Sequence, residues 1–368
     1  MKRVWTQCLK ELAQFRRDWL TVALAFLLPF ITLMIFSFAI RLEAKDIPLV
    51  IQDLDRTPFS RAYAERFWAN GQFRAVQSDG RDPGQQALDR GWAKAALIIP
   101  SGFERQIKAG RTNAVQVVVD GTDSNNARVI KNSIQATTRF FLQTEGFQPQ
   151  QSLVVPHIRF WFNPGRKEAL YIVPGVYAVV LWIFPSLLAA LAMVREKEQG
   201  TIIQVYASSL SAVELILGKG LAYFIVALGE TFVIIGLGSL IFRVGFAGDP
   251  TPMLLGMVFY LAAAVLFGLL LGARAGSQSV AVQGVATVGF LTALLLSGFI
   301  YPVSNIPFPL SLISAVVPAR YYIELTRDAF VRGTGWPGVW YAPLFLAIQA
   351  GVLFNGVRRN LQRMQLKG

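Results

Sequence analysis

The chain has 368 residues, of which 54% are hydrophobic and 15% are charged, and its formal net charge is +13 at pH 7. Soluble domains contain about 25% charged residues, so the composition indicates an integral membrane protein. Lys and Arg lie mainly at the two termini and between apolar blocks. There they act as a topology signal and contact lipid headgroups, so no nucleic-acid partner is expected.

Residues 1–19 are predicted to form an amphipathic helix in the cytoplasmic membrane interface. Its apolar residues recur at helical spacing: Trp5, Cys8, Leu9, Leu12, Phe15 and Trp19. The apolar block at 20–40 follows and is predicted to be the first transmembrane helix. Its apolar run is too long for a typical cleaved signal peptide, so we interpret it as an uncleaved anchor.

Residues 41–170 are more polar and are predicted to form a mixed α/β extracytoplasmic domain. The predicted strands cover 47–52, 94–99, 114–120 and 152–162, and the predicted helices end near 68, 109 and 144. Cys8 is the only cysteine, so this domain has no disulfide. No metal site is expected, because the single histidine, His157, has no Cys or carboxylate cluster around it.

Five further apolar blocks are predicted to cross the membrane, since a helix of about 20 residues spans the hydrocarbon core. They cover residues 171–194, 219–242, 252–273, 280–300 and 339–357. Short loops rich in Lys and Arg stay in the cytoplasm, so both termini, including the tail at 358–368, are predicted to be cytoplasmic. The predicted fold is an α-helical integral membrane protein of the inner (plasma) membrane, with six transmembrane helices and an inserted, periplasmic or extracellular α/β domain.

A cytoplasmic loop at 195–219 is longer than a simple helix–helix connection needs. It starts with Arg-Glu-Lys-Glu-Gln-Gly-Thr at 195–201 and ends with a predicted short apolar helix at about 211–219. Its composition suits docking onto a soluble partner, and it equally suits a solvated loop that obeys the positive-inside rule. Both interpretations stay open at this point.

A second distinctive region, at 301–335, joins the fifth and sixth blocks and is predicted to lie on the outer side. It is apolar but interrupted by Pro302, Pro307 and Pro318, so it cannot be one span, and short half-inserted helices fit best. Arg320, Glu324 and Arg327 fall on one helical face, where they are expected to form a structural ion-pair cluster.

Glu230 lies near the middle of the third predicted span. A carboxylate at that depth is costly, so it should face the protein interior or a wet cavity. Two roles stay open: a helix–helix hydrogen bond, or a site in the transport pathway that senses a cation or a proton.

The order and spacing of these motifs resemble the permease subunits of ABC-2-type exporters, over nearly the whole chain. The resemblance is strongest to the multidrug-efflux-like subgroup with a large extracytoplasmic domain after the first span. It implies that the cytoplasmic loop couples to an ATPase, through Arg195, Glu196, Glu198, Gly200, Thr201, Glu214, Gly218 and Lys219. The family's outer motif corresponds to Ser297, Gly298, Pro302, Pro318, Tyr321 and Tyr322. Relatives usually carry proline where this chain has Ser209, which leaves the turn into the coupling helix less fixed.

The resemblance also implies the partners. The sequence contains no Gly-x4-Gly-Lys-[Ser/Thr] motif, so the chain itself is not expected to be an enzyme or to hold a cofactor. ATP and Mg²⁺ are expected on a separate ABC ATPase subunit. A second permease copy or a paralogue, membrane lipid and a periplasmic adaptor are further expected partners.

The implied activity is ATP-driven export of hydrophobic or amphipathic compounds, drug-like molecules or lipids, from the cytoplasm or the inner leaflet. Two alternatives remain: a membrane-anchored envelope interaction or sensor protein, and a proton-coupled secondary transporter that uses Glu230. The first leaves the loop at 195–219 without a purpose. The second lacks the internal repeats that such folds often show.

Overall fold

The chain forms two compact units, residues Met1–Ile40 with Arg159–Gly368 and residues Arg41–Ile158. A computed structural model describes residues 1–39, 46–69, 71–76, 83–111, 113–120, 124–147, 167–200 and 211–365. The predicted strand at 152–162, His157, Thr201 and Ser209 lie outside these residues.

The first unit is helical. Its long helices are α1 (Lys2–Arg17), α2 (Trp19–Ala39), α7 (Ala169–Glu198), α8 (Ala212–Phe242), α9 (Thr251–Arg274), α10 (Gln278–Leu295, with π-helical turns over Val285–Phe290) and α14 (Tyr341–Gln365). Five of them, α2, α7, α8, α9 and α10, are long and apolar enough to cross a membrane. The chain is therefore a multi-pass membrane protein. Gln349, Asn355 and the terminal arginines lower the hydropathy of α14, so its crossing stays a prediction.

Helix α7 lies at the centre of this unit, and 78% of the residues in its apolar 18-residue stretch are buried. It packs closely on α9 because Gly268 and Gly272 present no side chain. A Cβ at Gly268 would lie 2.1 Å from the Ser186 carbonyl oxygen, and one at Gly272 would lie 2.5 Å from the Ala190 carbonyl oxygen. The Ser186 hydroxyl donates to the Ala264 carbonyl at 2.8 Å. Small residues thus bring two apolar helices together within one chain.

The region after α10 is broken into short pieces, as its prolines predict. They are a 3₁₀ turn at Val303–Asn305, α11 (Leu310–Val316), α12 (Pro318–Arg327), a π turn at Asp328–Arg332 and α13 (Trp336–Val339). Pro318 occupies the first turn of α12, where its missing N–H costs nothing.

The second unit is an α/β domain. Its elements are β1 (Ile47–Asp53), α3 (Pro58–Ala69), β2 (Phe73–Ala75), α4 (Pro83–Asp89), β3 (Ala95–Ile99), α5 (Phe103–Lys108), β4 (Gln116–Val119) and α6 (Ser124–Thr144). The strand order is β2-β1-β3-β4, with β1 parallel to β2 and β3 and with β4 antiparallel to β3.

An aromatic core closes one face of this sheet. Tyr63 lies between Phe67, Phe103 and Phe141, with ring centroids 5.1–5.5 Å apart. The three described strands that the sequence predicts are confirmed. The sequence did not reveal β2 and α4, because three and seven residues are too few to show a periodic pattern.

Candidate coupling site

The segment that precedes the third span differs from the prediction. Helix α8 runs without a break over Ala212–Phe242, so the expected separate helix at 211–219 is wrong. Its N-cap, Ser211, accepts from the Glu214 amide while the Glu214 carboxylate accepts from the Ser211 amide, which is a capping box. The cap starts the helix at the loop, and no proline interrupts it before Phe242.

Lys219 lies inside the protein, with a side chain only 1% exposed. Its ammonium nitrogen lies 2.7 Å from Oε1 of Glu11 and 3.1 Å from Oε1 of Glu196. Lys10 adds a second cation, 3.4 Å from Glu196. We call these four residues the ion cluster. It joins α1, α7 and α8, and its opposite charges allow Lys219, Glu11 and Glu196 to be removed from water, while Lys10 stays partly in contact with it.

Gly218 brings α1 against α8. A Cβ at this glycine would lie 2.6 Å from Cβ of Gln7 and 3.1 Å from the Val4 carbonyl oxygen. The side-chain amide of Gln7 donates to Glu11 at 3.0 Å, which adds a second contact to that carboxylate. Gly218 and Lys219 therefore belong to an internal helix contact and are not a surface free to dock a partner.

The placement of α1 corrects the sequence interpretation. Cys8 is fully buried, and Leu12 and Phe15 pack in the same core cluster, so much of the predicted membrane-facing side contacts protein. Trp5 and Leu9 remain exposed. Two polar residues of the sequence indicated this contact. Gln7 and Glu11 lie four residues apart on one face of the helix, and both are buried.

The other charged residues of the 195–201 motif also have internal partners. Arg195 lies 3.3 Å from Asp18. Lys197 donates to carbonyls at the end of α9, including Gly272 at 3.3 Å, and to the carbonyl of Ala275, which follows the helix, at 3.1 Å. The Glu198 carboxylate accepts from the Gln278 amide at 2.8 Å. Hydrogen bonds from Thr21, and then the charge of Arg195, hold the pKa of Asp18 below its usual value. The motif thus fastens one end of α7 to several neighbouring helices.

Within residues 195–200 and 211–219, the described parts of the loop, a few residues are exposed. Glu198, Gly200 and Ser211 are exposed, and Glu214 is partly exposed with Arg3 at 3.9 Å. Gly200 has φ +68°, a left-handed conformation that favours glycine at the end of a helix. Together with Gln199 and Leu217, which are also exposed, these residues are the described part of the loop that a partner can reach.

Arg327 is the centre of the outer motif. Its guanidinium lies 4.0 Å from the centroid of the Tyr171 ring and donates to the carbonyls of Gly298 at 3.0 Å and Phe299 at 3.3 Å. The Tyr171 hydroxyl donates to the same Phe299 carbonyl at 3.2 Å. Gly298 has φ +86°, so the turn that presents these carbonyls favours glycine.

The expected ion pairing of Arg320, Glu324 and Arg327 is wrong: within the described ranges, none of the three lies within ion-pair distance of another. Glu324 accepts from the Tyr341 hydroxyl, and Arg320 contacts the Ser314 hydroxyl at 3.4 Å. The turn at residues 297–299 leaves carbonyl groups without helical partners, and Arg327 donates to them.

The remaining residues of the outer motif pack inside the protein. Tyr322 stacks on Tyr260 of α9 with centroids 4.3 Å apart, and Tyr321 stacks on Phe345 of α14 at 5.0 Å. The Ser297 hydroxyl accepts from the Phe299 amide at 3.3 Å and so closes the turn. Pro302 and Pro307, by contrast, are exposed. The motif therefore holds α12 between α9 and α14.

Glu230 is fully buried in α8, and its carboxylate oxygens have no hydrogen-bond partner among the described residues. The neighbouring Thr231 hydroxyl donates within its own helix, to the Ala227 carbonyl at 2.7 Å. A bridging hydrogen bond to another helix, one of the two expected roles, does not form in this part of the chain. The described residues also contain no group of three His, Cys, Asp or Glu side chains placed to hold a metal ion.

Comparison with known proteins gives a consistent result. Residues 16–357 match the family model described as "ABC-2 family transporter protein". The chain is 29% identical to the "Probable multidrug ABC transporter permease YbhR" of Escherichia coli (strain K12), over 98% of this chain and 99% of that protein. It is 24% identical to the YbhS permease of the same strain, over 97% and 95% of the two chains. The "Inner membrane transport permease YhhJ" of that strain is 26% identical, over 87% and 88%. The chain therefore belongs to the ABC-2 family of transporter proteins.

Proposed function

We propose that the chain is the permease subunit of an ATP-driven ABC exporter. The family match covers nearly the whole chain, and the similar proteins carry permease names. We further propose that a separate ABC ATPase, with ATP and Mg²⁺, supplies the energy. Two permease chains, identical or paralogous, would pair around the transport path and each dock one ATPase.

The ion cluster is the observation that supports coupling. The exposed tip formed by residues 198–200, Ser211 and Glu214 connects directly to α7 and α8, and Lys219 and Glu196 bind these helices to α1. A buried ion network keeps its geometry because separating the charges is costly. Movement of the tip by an ATPase would therefore displace three helices as one body.

The charge distribution supports a membrane orientation. We propose cytoplasmic termini, a sixth crossing by α14, and an extracytoplasmic α/β domain at about 41–170, in the inner (plasma) membrane. The domain would pass the exported compound to a periplasmic adaptor or close the exit.

The proposed cargo is hydrophobic or amphipathic, and both drug-like molecules and lipids fit this class. Glu230 is the candidate contact for a cationic group, because it is buried and lacks a hydrogen-bond partner in the described residues. Glu230→Gln should fold normally and selectively lose transport of cationic compounds. Unchanged transport of cationic compounds by a folded Glu230→Gln protein would remove this residue from the pathway.

The decisive experiment is purification of the tagged full chain from its native membrane, followed by reconstitution with the ATPase that copurifies. We expect ATP-dependent transport of a hydrophobic dye and ATPase stimulation by the permease, with both reduced at least tenfold in Glu214→Lys. Glu104→Lys, which changes a partly exposed acid of the α/β domain, is the control. Failure of any ATPase to copurify, or transport that persists without ATP but stops when the proton gradient is collapsed, would disprove the proposal.

A further inference from the structure

An apolar groove of about 350 Å³ lies between α8, α9 and α14. Ile216, Leu221 and Phe224 of α8 line one wall, and Val258 and Ala262 of α9 line the opposite wall. Ligand pockets typically occupy roughly 300–1,000 Å³, so the groove can hold a substantial part of a ligand. Its lining is almost entirely hydrocarbon, so a ligand that fills it must be apolar there.

Gly220 widens the groove. The nearest atom to a Cβ at this position would be Cδ1 of Leu269, at 4.0 Å, so internal packing does not require a glycine here. This differs from Gly218, two residues earlier, where α1 leaves no room for a side chain. The space beside Gly220 is thus available to a ligand.

The groove lies in the inner half of the proposed membrane span. Its α8 residues, at positions 216–224, lie about 6–18 Å from the first residue of that helix at a rise of 1.5 Å per residue. Helix α8 starts, and α9 and α14 end, on the side that the proposed function assigns to the cytoplasm. The inference rests on that orientation.

Two cations lie beyond the groove residue Phe354, toward the C-terminal end of α14. Phe354 of α14 lines the groove, and Arg358 follows it by four residues, so the two share a helical face one turn apart. Arg358 and the adjacent Arg359 are both exposed. A ligand with its apolar part beside Phe354 would therefore place an anionic head near these two guanidinium groups.

We infer that the groove binds one acyl chain of an anionic inner-leaflet phospholipid, with Arg358 and Arg359 at its headgroup. Such a lipid combines a hydrocarbon chain, which the groove requires, with a negative charge at the membrane surface, which the two arginines attract. A second protein copy would bury the rim of the groove but would not account for the cations at its end.

The test uses the full chain with Cys8→Ser and Leu217→Cys, labelled with bimane at the rim of the groove and reconstituted in mixed vesicles. Phosphatidylglycerol and phosphatidylcholine are compared, each in turn with brominated acyl chains that quench the fluorophore. We expect brominated phosphatidylglycerol to quench at about a 25-fold lower mole fraction, since each of the two arginines near an anionic lipid contributes roughly a factor of five.

Two sets of variants test the chain site and the head site separately. Gly220→Leu should fill the groove and abolish preferential quenching, whereas Gly236→Leu, in open space on the same helix, should not. The double variant Arg358→Gln, Arg359→Gln should make quenching by the two brominated lipids equal without removing it. Arg243→Gln, at the other end of α8, should leave the preference for phosphatidylglycerol intact.

Three results would overturn the inference. The first is equal quenching by the two lipids in the unmodified groove, and the second is quenching that Gly220→Leu does not change. The third is shielding of the label in lipid-free detergent, which would indicate that a second copy of the chain covers the groove. ATP-dependent transport, measured on vesicles of the same lipids that also contain the copurified ATPase, separates failure of this inference from failure of the proposed export function.

Discussion

Lys219 and Glu11 lie 208 positions apart in the sequence, yet their Nζ and Oε1 atoms are 2.7 Å apart and their side chains are 1% and 3% exposed. A charge this deeply buried is tolerated only when it is paired. The pair joins the N-terminal helix to the start of the third predicted span. It makes α1 part of the helical unit, and α1 is therefore not a detachable membrane anchor.

Removing this cation should strongly destabilise the protein. Lys219→Met keeps most of the side-chain volume but leaves Glu11 and Glu196 buried without their shared partner, at a cost of about 3–5 kcal/mol. Thermal unfolding in detergent should show a large fall in midpoint. Lys108→Met removes one partner of an exposed Lys–Glu pair and should change stability by less than about 1 kcal/mol. Equal effects of the two variants would mean that the ion cluster is not structural.

The contact between α7 and α9 should not tolerate a single added methyl group. Gly268→Ala would place Cβ against the Ser186 carbonyl oxygen and should destabilise the protein by about 1–3 kcal/mol through overpacking. Gly236→Ala, with no neighbouring atom within 4 Å, should be neutral or stabilising by up to about 1 kcal/mol through helix propensity. Unfolding midpoints of both variants test the contrast, and a neutral Gly268→Ala would contradict the packing.

Arg327 should not be replaceable by lysine. Its planar guanidinium stacks on Tyr171 and donates to two carbonyls, and an ammonium group cannot reproduce both contacts. Arg327→Lys should cost roughly 1–3 kcal/mol, the range for a lost charged hydrogen bond. Arg320→Lys is the matched control, because the Arg320 guanidinium makes only a 3.4 Å contact to Ser314 and a 5.9 Å approach to the Tyr321 ring centroid. Protease resistance of detergent-solubilised protein should fall in the first variant alone.

Asp55 should give the α/β domain a pH-dependent contribution to stability. Burial by itself raises the pKa of Asp55, but hydrogen bonds from the Glu104 amide, the Thr57 hydroxyl and the Gly102 amide outweigh it and lower that pKa. Because the pKa is lowered in the folded state, the stabilisation is complete above the unfolded-state pKa of about 3.9. It is lost as the pH falls through the folded-state pKa.

Asp55→Asn should therefore be less stable than the natural chain at neutral pH, and the difference should shrink as the pH falls below about 4. Hydrogen exchange of the β1–α3 and α5 amides in the full chain, followed against pH, measures this. A difference that stays constant down to pH values below the folded pKa would contradict the assignment.

The proposed orientation gives a direct labelling result. In a Cys8→Ser background, Arg61→Cys in α3 should react with an impermeant thiol reagent in intact spheroplasts, and Gln362→Cys in α14 should react only after lysis. Both positions are exposed, so accessibility within the protein does not bias the comparison. The reverse labelling pattern would refute the proposed topology.

The sequence by itself determined the class of protein and most of its elements. The blocks at 20–40, 171–194, 219–242 and 252–273 are confirmed as candidate spans, because length and hydropathy are local properties. The block predicted at 280–300 is also a candidate span, but its helix ends earlier, at Leu295. The broken outer region was equally predictable, since proline removes an N–H wherever it occurs. The motifs at 195–201 and 297–322 led to the family, which the comparison confirmed.

Tertiary structure alone decided what the motif residues contact. Lys219 and Gly218 suggested a docking surface in the sequence, yet α1 covers them, and a partner 208 positions away leaves no periodic signal. Arg327 lies on the same face as Glu324 but bonds instead to carbonyls that a turn brings within reach. Local pattern specifies helices because their hydrogen bonds are local. The partner of a buried charge depends on which helices meet, and only the packed chain determines that.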